Sequence, residues 1–378
     1  MKIGIVCYPT YGGSGIVATE LGMDLAESGH EIHFISTSLP ARLDITLPNV
    51  YFHKVNVENY PLFQYQPYSL ALSTNIVNIV QHHGLDLLHV HYAIPHAYAA
   101  YFAKQMLKEI GINLPVITTL HGTDITLVGR HPAYKPAVEF SINKSDVVTS
   151  VSENLKKETL EFFDIHKEIE VIPNFIDNTQ FRSCFENDCR EKIAKTREKV
   201  VIHVSNLRPV KRISDVINVF NLIQKEVPSR LIIVGEGPEW EQASCLIEEL
   251  GITEKVKNLG KVNDLHNVLC SSDVFLLPSE KESFGLAALE AMAAKVPVIS
   301  SNAGGIPEVN VNGKTGFVLP IGDVRGMADR AITLLSDDNL LHEFKKNAKE
   351  QALKFDMKNV LPMYERLYRS VVEKVRLE

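Results

Sequence analysis

The chain has 378 residues, of which 45% are hydrophobic and 22% are charged, and its formal net charge is -7. This length exceeds what one ordinary hydrophobic core organises, so we expect two domains. The acidic balance argues against a nucleic-acid partner, whose binding proteins are usually basic. Since no apolar run approaches the roughly 18 residues of a bilayer span, and the short apolar N-terminus runs straight into a glycine-rich loop, we expect no membrane partner and a cytoplasmic protein.

The cysteines are odd in number and include no C-x-x-C pair, which argues against a disulfide framework. Cys184 and Cys189 could in principle pair or share a metal, but no second Cys or His pair flanks them at zinc-site spacing. We therefore expect reduced thiols throughout. The five residues are Cys7, Cys184, Cys189, Cys245 and Cys270.

The first half of the chain alternates short apolar runs with helical periodicity. Lys2 to Tyr8 has the size of a buried parallel strand, and a turn with three glycines follows it. Val17, Leu21 and Leu25 then recur at a spacing of four residues, which places them on one helical face, and Gly29 ends that helix. Further strands are predicted at 31–36, 87–91, 116–120 and 147–151.

The same alternation restarts near Lys199, with a loop over 205–211 and a helix over 213–226. The pattern predicts a second parallel sheet covered by helices, joined to the first near 173–181. The charged stretch 186–199 is expected to form a solvated helix or loop, and 355–378 a terminal helix. Strands of the second half are predicted at 200–204, 231–234, 256–259, 274–277 and 296–299.

Two loops have the composition of anion-binding sites. Gly12-Gly13-Ser14-Gly15 lies between a strand and a helix start, where free amides and partial positive charge favour an anion, although such a loop can also be only a tight turn. After the first strand of the second half, Arg208, Lys211 and Arg212 place three cations beside a helix N-terminus. Since cations there oppose the helix dipole, an anionic partner is indicated.

The strongest motif is the segment 278–290, in which a loop carries Glu282 and a helix begins near Gly285. Amides at that helix start suit the oxygens of a diphosphate. Glu290 follows five residues later, about 7.5 Å along the helix, and its side chain is directed back towards the start. We expect Glu290 to meet a ribose and Glu282 to meet hydroxyls of a sugar.

Glu282 and Glu290 form an E-x7-E element. Together with the Gly12–Gly15 loop, the R-x-x-K pair and Gly235-Glu236-Gly237-Pro238, in this order, it resembles the family 4 retaining glycosyltransferases over essentially the whole chain. The resemblance implies the GT-B fold, two Rossmann-like α/β domains with the active site in the interdomain cleft. The N-terminal acceptor domain would span 1–175, completed by a C-terminal helix over 356–378, and the nucleotide-sugar domain would span 176–355.

More narrowly, CYP at 7–9, HVHYAIPH at 89–96 and TTLHGTD at 118–124 are similar to members of this family that act in bacillithiol biosynthesis. That resemblance implies transfer of N-acetylglucosamine from UDP-N-acetylglucosamine to the hydroxyl of L-malate. It also implies a metal-independent reaction and suggests a homodimer. Another acceptor (an inositol phosphate, a glycan or a lipid) is the nearest alternative, followed by a UDP-sugar epimerase and a non-catalytic sugar-nucleotide-binding protein.

The resemblance assigns roles to named residues. Catalysis is assigned to His121, Arg208, Lys211 and Glu282, with His121 beside the transferred sugar. Donor binding is assigned to Gly13, Ser14, Gly15, Asn206, Arg208, Lys211, Glu236, Val262, Glu282, Phe284, Gly285, Leu286 and Glu290. Acceptor binding is assigned, by resemblance and position, to Ser14, Tyr92, Thr119, Asn174 and Arg130, with Lys135 as another possible counter-charge.

No metal ligand and no cofactor are expected. His89 and His91 share one face of a strand and could bind a metal in principle. However, the chain contains no D-x-D element, the usual divalent-cation ligand of other glycosyltransferases. We therefore expect both histidines to pack at the strand end or to line the acceptor site.

Overall fold

The computed structural model describes residues 1–10, 12–57, 65–181, 190, 194–195, 198–262 and 264–377. These residues form two compact units, Met1–Asn174 with Met357–Glu378, and Phe175–Asp356. Each unit contains one parallel β-sheet with helices between most successive strands. The predicted fold class, two α/β domains with parallel sheets, is confirmed.

The sheet of the first unit has the order β3-β2-β1-β4-β5-β6-β7, and all its strand pairs are parallel. Its central strands β4 and β5 are buried at every residue, as expected for strands covered on both faces. The strands are β1 (Lys2–Val6), β2 (Glu31–Ser36), β3 (Val50–Lys54), β4 (Leu87–His91), β5 (Val116–Leu120), β6 (Val147–Ser150) and β7 (Ile169–Val171). The helices are α1 (Ser14–Glu27), α2 (Tyr68–His83), α3 (Tyr98–Glu109), α4 (Lys135–Lys144) and α5 (Glu153–Phe162).

The sheet of the second unit has the order β10-β9-β8-β11-β12-β13, again with parallel pairs. Its strands are β8 (Lys199–Val204), β9 (Ser229–Val234), β10 (Val256–Asn258), β11 (Val274–Leu277), β12 (Val298–Ser301) and β13 (Gly316–Leu319). Its helices are α6 (Ile213–Glu226), α7 (Trp240–Glu249), α8 (Leu265–Cys270), α9 (Leu286–Ala293), α10 (Ile306–Val309), α11 (Val324–Ser336) and α12 (Asp338–Ala352).

Apolar periodicity explains how the helices attach to these sheets. In α6, Val216, Phe220 and Ile223 recur at spacings of three and four residues, and all three are fully buried in the core of the second unit. Ala328 and Leu335 of α11 belong to the same core. Each such side chain contributes about 1.5–3 kcal/mol when it leaves water.

Strand order decides where each unit can bind a ligand. In the first unit the order reverses between β1 and β4, and in the second it reverses between β8 and β11. In open α/β sheets, ligands bind beyond the carboxyl ends of the strands at such a reversal. The loops that follow these four strands are the ones in which the sequence motifs lie.

The final helix, α13 (Met357–Leu377), belongs to the first unit. The Tyr368 hydroxyl lies 2.7 Å from His89 Nδ1 in β4, and His30 Nε2 lies 3.2 Å from the Glu365 carboxylate. The last twenty residues of the chain therefore complete a core that the first residues begin. No helix in the described residues has both the length and the apolar character that a membrane span requires.

The cysteines depart from the expectation of reduced thiols. Cys7 is free and buried, and Cys245 is free and exposed. Cys270, at the end of α8, is disulfide-bonded, so the expectation is wrong for this residue. Cys184 and Cys189 lie outside the described residues, as does most of the stretch 186–199.

Candidate active site

One candidate site lies in the second unit, where the loops after β8 and β11 meet. The amide of Glu280 donates to the carbonyl of Val210 at 2.8 Å and joins the two loops. Lys211 and Glu282 form an ion pair although 71 residues separate them, and their side chains are only 19% and 13% exposed. The structure thus brings together one predicted cation and the first carboxylate of the E-x7-E element.

The backbone around Glu282 is held by close packing. The Ser279 hydroxyl donates to the Glu282 carboxylate at 3.2 Å, and the Gly305 amide donates to the Glu282 carbonyl at 3.0 Å. Gly304 has φ +54°, and a Cβ there would lie 1.8 Å from that carbonyl oxygen. Only glycine allows the segment after β12 to pass so close, and this passage fixes the position of the loop that carries Glu282.

The two predicted cations stand at the ends of one short turn. Leu207 is buried with φ +40°, and it anchors a loop whose neighbours Asn206 and Arg208 are exposed. A 3-10 turn, Pro209–Lys211, follows, and the Lys211 amide donates to the Arg208 carbonyl at 2.8 Å. Arg208 is therefore open to a ligand, while Lys211 is partly desolvated and paired.

Helix α9 begins at this same sheet edge. Its N-cap, Gly285, has a left-handed conformation with φ 96°, and the first helical bond runs from the Leu289 amide to the Gly285 carbonyl at 3.0 Å. Phe284 is buried against Phe355, with ring centroids 5.6 Å apart. The first amides of a helix have no intrahelical acceptor, so the start of α9 suits an anion. Leu286 and Glu290, the remaining predicted donor residues of this segment, are half-buried in the helix.

Glu236 and Val262 lie on neighbouring loops of the same edge. Gly235 has φ +125°, and a Cβ at this position would lie 1.8 Å from the Ser205 carbonyl oxygen, so the loop after β9 presses against the loop after β8. Glu236 is exposed, with its carboxylate 3.2 Å from Lys261 Nζ. Val262 is half-buried. The predicted donor residues of the second unit therefore line one edge of one sheet.

In the first unit, Ser14 and Tyr92 meet at the corresponding sheet edge. Their hydroxyl oxygens are 2.6 Å apart, across the ends of β1 and β4. Tyr92 has φ +86°, an uncommon value for a non-glycine residue, and its amide donates to the Thr119 carbonyl at 2.9 Å. Burial raises the pKa of Tyr92 to about 12, so the phenol stays protonated and can donate.

Gly13 and Gly15, at the start of α1, are required for different reasons. Gly13 adopts φ +56° at the helix N-cap. Gly15 faces the preceding turn, and a Cβ there would lie 2.7 Å from the Thr10 carbonyl oxygen and 2.8 Å from that of Tyr8. The chain folds back on itself at this point, and the first amides of α1 face the same edge as Ser14.

His121 ends β5 and is paired with a second histidine. Its Nε2 lies 2.7 Å from Nδ1 of His91, and the two rings are stacked with centroids 5.0 Å apart. Burial lowers the pKa of His121 to about 3, so the imidazole is neutral near pH 7. His91, predicted to pack at the strand end or to line the acceptor site, contacts His121 through Nδ1, and its buried Nε2 has no hydrogen-bond partner among the described residues.

Asp124 joins the loops after β4 and β5 and was missed as a positioning residue. Its carboxylate accepts the Ala93 amide at 2.8 Å and the Gly122 amide at 3.1 Å. Burial raises its pKa to about 6. The sequence does mark this residue, because in the segment 118–124 Asp124 follows a histidine and a glycine at the end of a buried strand.

The side chains of the other predicted acceptor residues have contacts of their own. The Thr119 hydroxyl is fully buried, 2.7 Å from His89 Nε2 and 2.6 Å from the Thr149 hydroxyl. Asn174 is buried, and its Oδ1 has no hydrogen-bond partner. Arg130 is exposed and contacts α5, with its guanidinium carbon 3.5 Å from the centroid of Phe162 and a nitrogen 3.8 Å from Glu158.

Both ring nitrogens of His89 are engaged, by Tyr368 and by Thr119. This residue therefore packs inside the first unit and holds α13 against the sheet.

Two family models match the chain, one on each half. The model for Glycosyltransferase Family 4 matches residues 11–180, and the model for glycosyl transferases group 1 matches residues 185–351. The parallel sheet in each unit and the Lys211–Glu282 pair near the start of α9 are consistent with these matches. They define a glycosyltransferase of the GT-B fold.

Full-length comparison narrows this class. The N-acetyl-alpha-D-glucosaminyl L-malate synthase of Bacillus anthracis is 47% identical over 377 residues, which cover 98% of this chain and 97% of the relative. The chain therefore belongs to glycosyltransferase family 4.

Solved structures share the fold at low identity. Sucrose-phosphate synthase from Thermosynechococcus elongatus has a TM-score of 0.83 at 18% identity and covers 99% of both chains. Anabaena HepE in complex with UDP-glucose has a TM-score of 0.81 at 20% identity and covers 98% of this chain and 100% of that chain.

Proposed function

We propose that the enzyme transfers N-acetylglucosamine from UDP-N-acetylglucosamine to the hydroxyl of L-malate, with retention of configuration, as the first step of bacillithiol biosynthesis. The observation that carries the proposal is the 47% identity, over nearly the whole of both chains, with a relative named for that product. The charges at the sheet edge of the second unit support the same reaction.

The second unit supplies the donor site in this proposal. The diphosphate binds at the start of α9, where the first amides have no intrahelical acceptor, and Arg208 and Lys211 supply positive charge from the neighbouring loop. Glu290 then accepts hydrogen bonds from the ribose, and Glu282 accepts them from hydroxyls of the transferred sugar. Lys211 exchanges part of its contact with Glu282 for a phosphate oxygen. A preformed pair of this kind keeps the ammonium in place before the substrate arrives.

The first unit supplies the acceptor groups. The Tyr92 and Ser14 hydroxyls are already 2.6 Å apart and can donate to one malate carboxylate. Arg130 provides positive charge for the other carboxylate, because its exposed contact with Glu158 at 3.8 Å is a weak ion pair that a ligand can replace. Neutral His121 donates or accepts a hydrogen bond at the transferred sugar.

The reaction is a substitution on one face of the sugar. The bond between the anomeric carbon and the β-phosphate oxygen breaks while the malate oxygen attacks from the same side. The hydroxyl proton of malate passes to the departing phosphate oxygen. Negative charge grows on the diphosphate in the transition state, and Arg208, Lys211 and the α9 amides stabilise it. We propose that these fixed groups act without a metal at the diphosphate.

Incubation with UDP-N-acetylglucosamine, with and without L-malate, tests this proposal. UDP release is expected only with malate, and mass spectrometry should then detect N-acetylglucosaminyl-malate as the α-anomer. EDTA should leave the initial rate unchanged. UDP release with an inositol phosphate or a glycan and not with malate would reject the acceptor, and turnover of the donor alone would indicate an epimerase or hydrolase.

A further inference from the structure

Three histidines that are distant in sequence meet at the edge of the first sheet. His33 lies in β2, His53 lies in the edge strand β3, and His83 is the last residue of α2. Their potential ligand atoms all lie within 4.8 Å of one another. In the described part of the chain this is the only group of three or more His, Cys, Asp or Glu side chains with such a geometry. None of the three takes part in the proposed transfer reaction.

The strand register explains why the first two rings meet. β2 and β3 are parallel, with His33 opposite Tyr51 and Ile35 opposite His53. Since alternate residues of a strand share a face, His33 and His53 lie on the same side of the sheet, one step apart. Nδ1 of His33 is 2.8 Å from Nε2 of His53. The His83 ring closes the group, with its centroid 4.6 Å from that of His33 and 5.1 Å from that of His53.

The hydrogen bonds of the cluster suit a metal ligand. His33 Nε2 is 3.0 Å from the Glu31 carboxylate, to which it donates. This bond leaves the lone pair of His33 Nδ1 directed at His53. A carboxylate that orients the remote nitrogen of a ligating histidine is the usual second partner at zinc sites.

The distances need only a small adjustment. Zinc binds histidine nitrogen at about 2.0–2.1 Å in tetrahedral geometry, which places two ligand nitrogens about 3.3 Å apart. The His33–His53 contact therefore has to open by about half an ångström, and the proton on His53 Nε2 has to move to its Nδ1. His83 is exposed and can rotate to supply the third nitrogen.

We propose that His33, His53 and His83 bind one divalent transition-metal ion of the zinc class, with water as the fourth ligand and Glu31 orienting His33. Three imidazole ligands favour zinc, copper or nickel over magnesium or calcium, which prefer oxygen ligands. Such an ion ties the end of α2 to the edge strand β3, and it is structural. This departs from the expectation, drawn from the sequence alone, that the chain contains no metal site.

Zinc titration of the full-length protein against a chromogenic chelator tests the proposal. The wild type should bind one Zn²⁺ per chain at the cluster. His83→Asn and His53→Gln should each weaken binding at least about tenfold, and Glu31→Gln should weaken it by about tenfold through the lost orienting bond. Co²⁺ substitution should give the visible absorption of a tetrahedral site in the wild type and lose it in both histidine variants.

His82→Asn is the matched control, because His82 is the exposed neighbour of His83 in α2 and donates to the Asn78 carbonyl at 2.6 Å. It should bind Zn²⁺ as the wild type does. Zinc should also raise the Tm of the wild type and of His82→Asn, but not that of His83→Asn, whose exposed substitution leaves the fold intact. Equal affinity in the wild type and in His83→Asn, or an equal loss in His82→Asn, would overturn the proposal.

Discussion

At the scale of single residues, the Lys211–Glu282 pair concentrates opposite charges where the proposed diphosphate binds. An ammonium that is only 19% exposed is already partly desolvated, so it interacts more strongly with developing negative charge than a surface lysine would. The Lys211 ammonium therefore stabilises the transition state, in which charge moves onto the leaving group, more than it stabilises the bound substrate.

Lys211→Ala should therefore lower kcat by roughly 10²–10³-fold, with a much smaller change in the KM for UDP-N-acetylglucosamine. Steady-state kinetics with both substrates varied would measure this split. Lys257→Ala removes the same charge from an exposed position on the edge strand β10 and serves as the control. A Lys211→Ala enzyme with kcat within about threefold of the wild type would contradict the role of this cation.

Tyr92 gives a second prediction at this scale, because its protonated phenol is proposed to bind malate. Tyr92→Phe should raise the KM for malate by about 10-fold or more, the cost of a lost hydrogen bond to a charged group. Arg130→Ala should raise it similarly. In both variants the KM for the nucleotide sugar should stay the same, and an unchanged KM for malate would remove that residue from the acceptor site.

At the scale of elements, the central strands could be predicted from the sequence, whereas three of the four edge strands, β3, β7 and β13, could not. The structure places β4 at Leu87–His91 and β5 at Val116–Leu120, as predicted, because both strands are rich in apolar residues and are buried on both faces. The edge strand β3 was missed although Val50, Tyr51 and Phe52 are residue types that favour strands, because only Val50 is buried and no extended apolar run marks the segment. The short strands β7 and β13 were missed as well.

The candidate site, too, could be predicted only in part from the sequence. Sequence motifs identified Lys211 and Glu282 separately, because each follows a strand end, but their ion pair spans 71 residues and depends on the strand order β8–β11. The His33–His53–His83 cluster carried no local signal at all. It exists only because the register of β2 with β3 and the end of α2 bring the three rings together.

Loop packing provides a prediction at the element scale. Gly304→Ala adds a Cβ 1.8 Å from the Glu282 carbonyl oxygen at a residue with φ +54°. Both the clash and the left-handed backbone are unfavourable, so the variant should be destabilised by at least about 2 kcal/mol. The urea midpoint of the second unit would report this, and activity should fall as the Glu282 loop moves.

Gly313→Ala separates the two causes. Gly313 also has positive φ, +73°, but a Cβ there would have no neighbour within 4 Å. This control should lose only about 1 kcal/mol from backbone strain. Equal losses in the two variants would mean that close approach to Glu282 contributes nothing.

At the scale of the whole molecule, buried histidines make stability depend on pH. Burial lowers the pKa of His203 to about 4 and those of His89 and His121 to about 3. The unfolded chain binds these protons near pH 6.5, so between that pH and the folded values the unfolded state holds more protons. The stability that each neutral ring contributes is thus present above about pH 6.5 and lost as the pH falls, by about 2 kcal/mol each at pH 5.

Asp124 acts in the opposite sense. Burial raises its pKa to about 6, so its contribution is present below about pH 4 and lost as the pH rises through 6. Because several histidines oppose this one carboxyl group, the urea midpoint should fall from pH 7 to pH 5. His203→Gln removes one titrating ring and should show a smaller fall. The same pH dependence in His203→Gln and the wild type would show that His203 protonates freely in the folded chain.

The contact between α13 and His89 has a consequence for how the protein is made. The N-terminal sheet is complete in sequence once residue 171 has been synthesised, yet His89 Nδ1 finds its partner only in Tyr368. A nascent chain that lacks its last residues leaves a buried imidazole without that bond and the apolar face beside it uncovered. The first domain therefore cannot form this hydrogen bond before α13 has been synthesised, and a chain truncated before residue 357 should have a less stable N-terminal sheet.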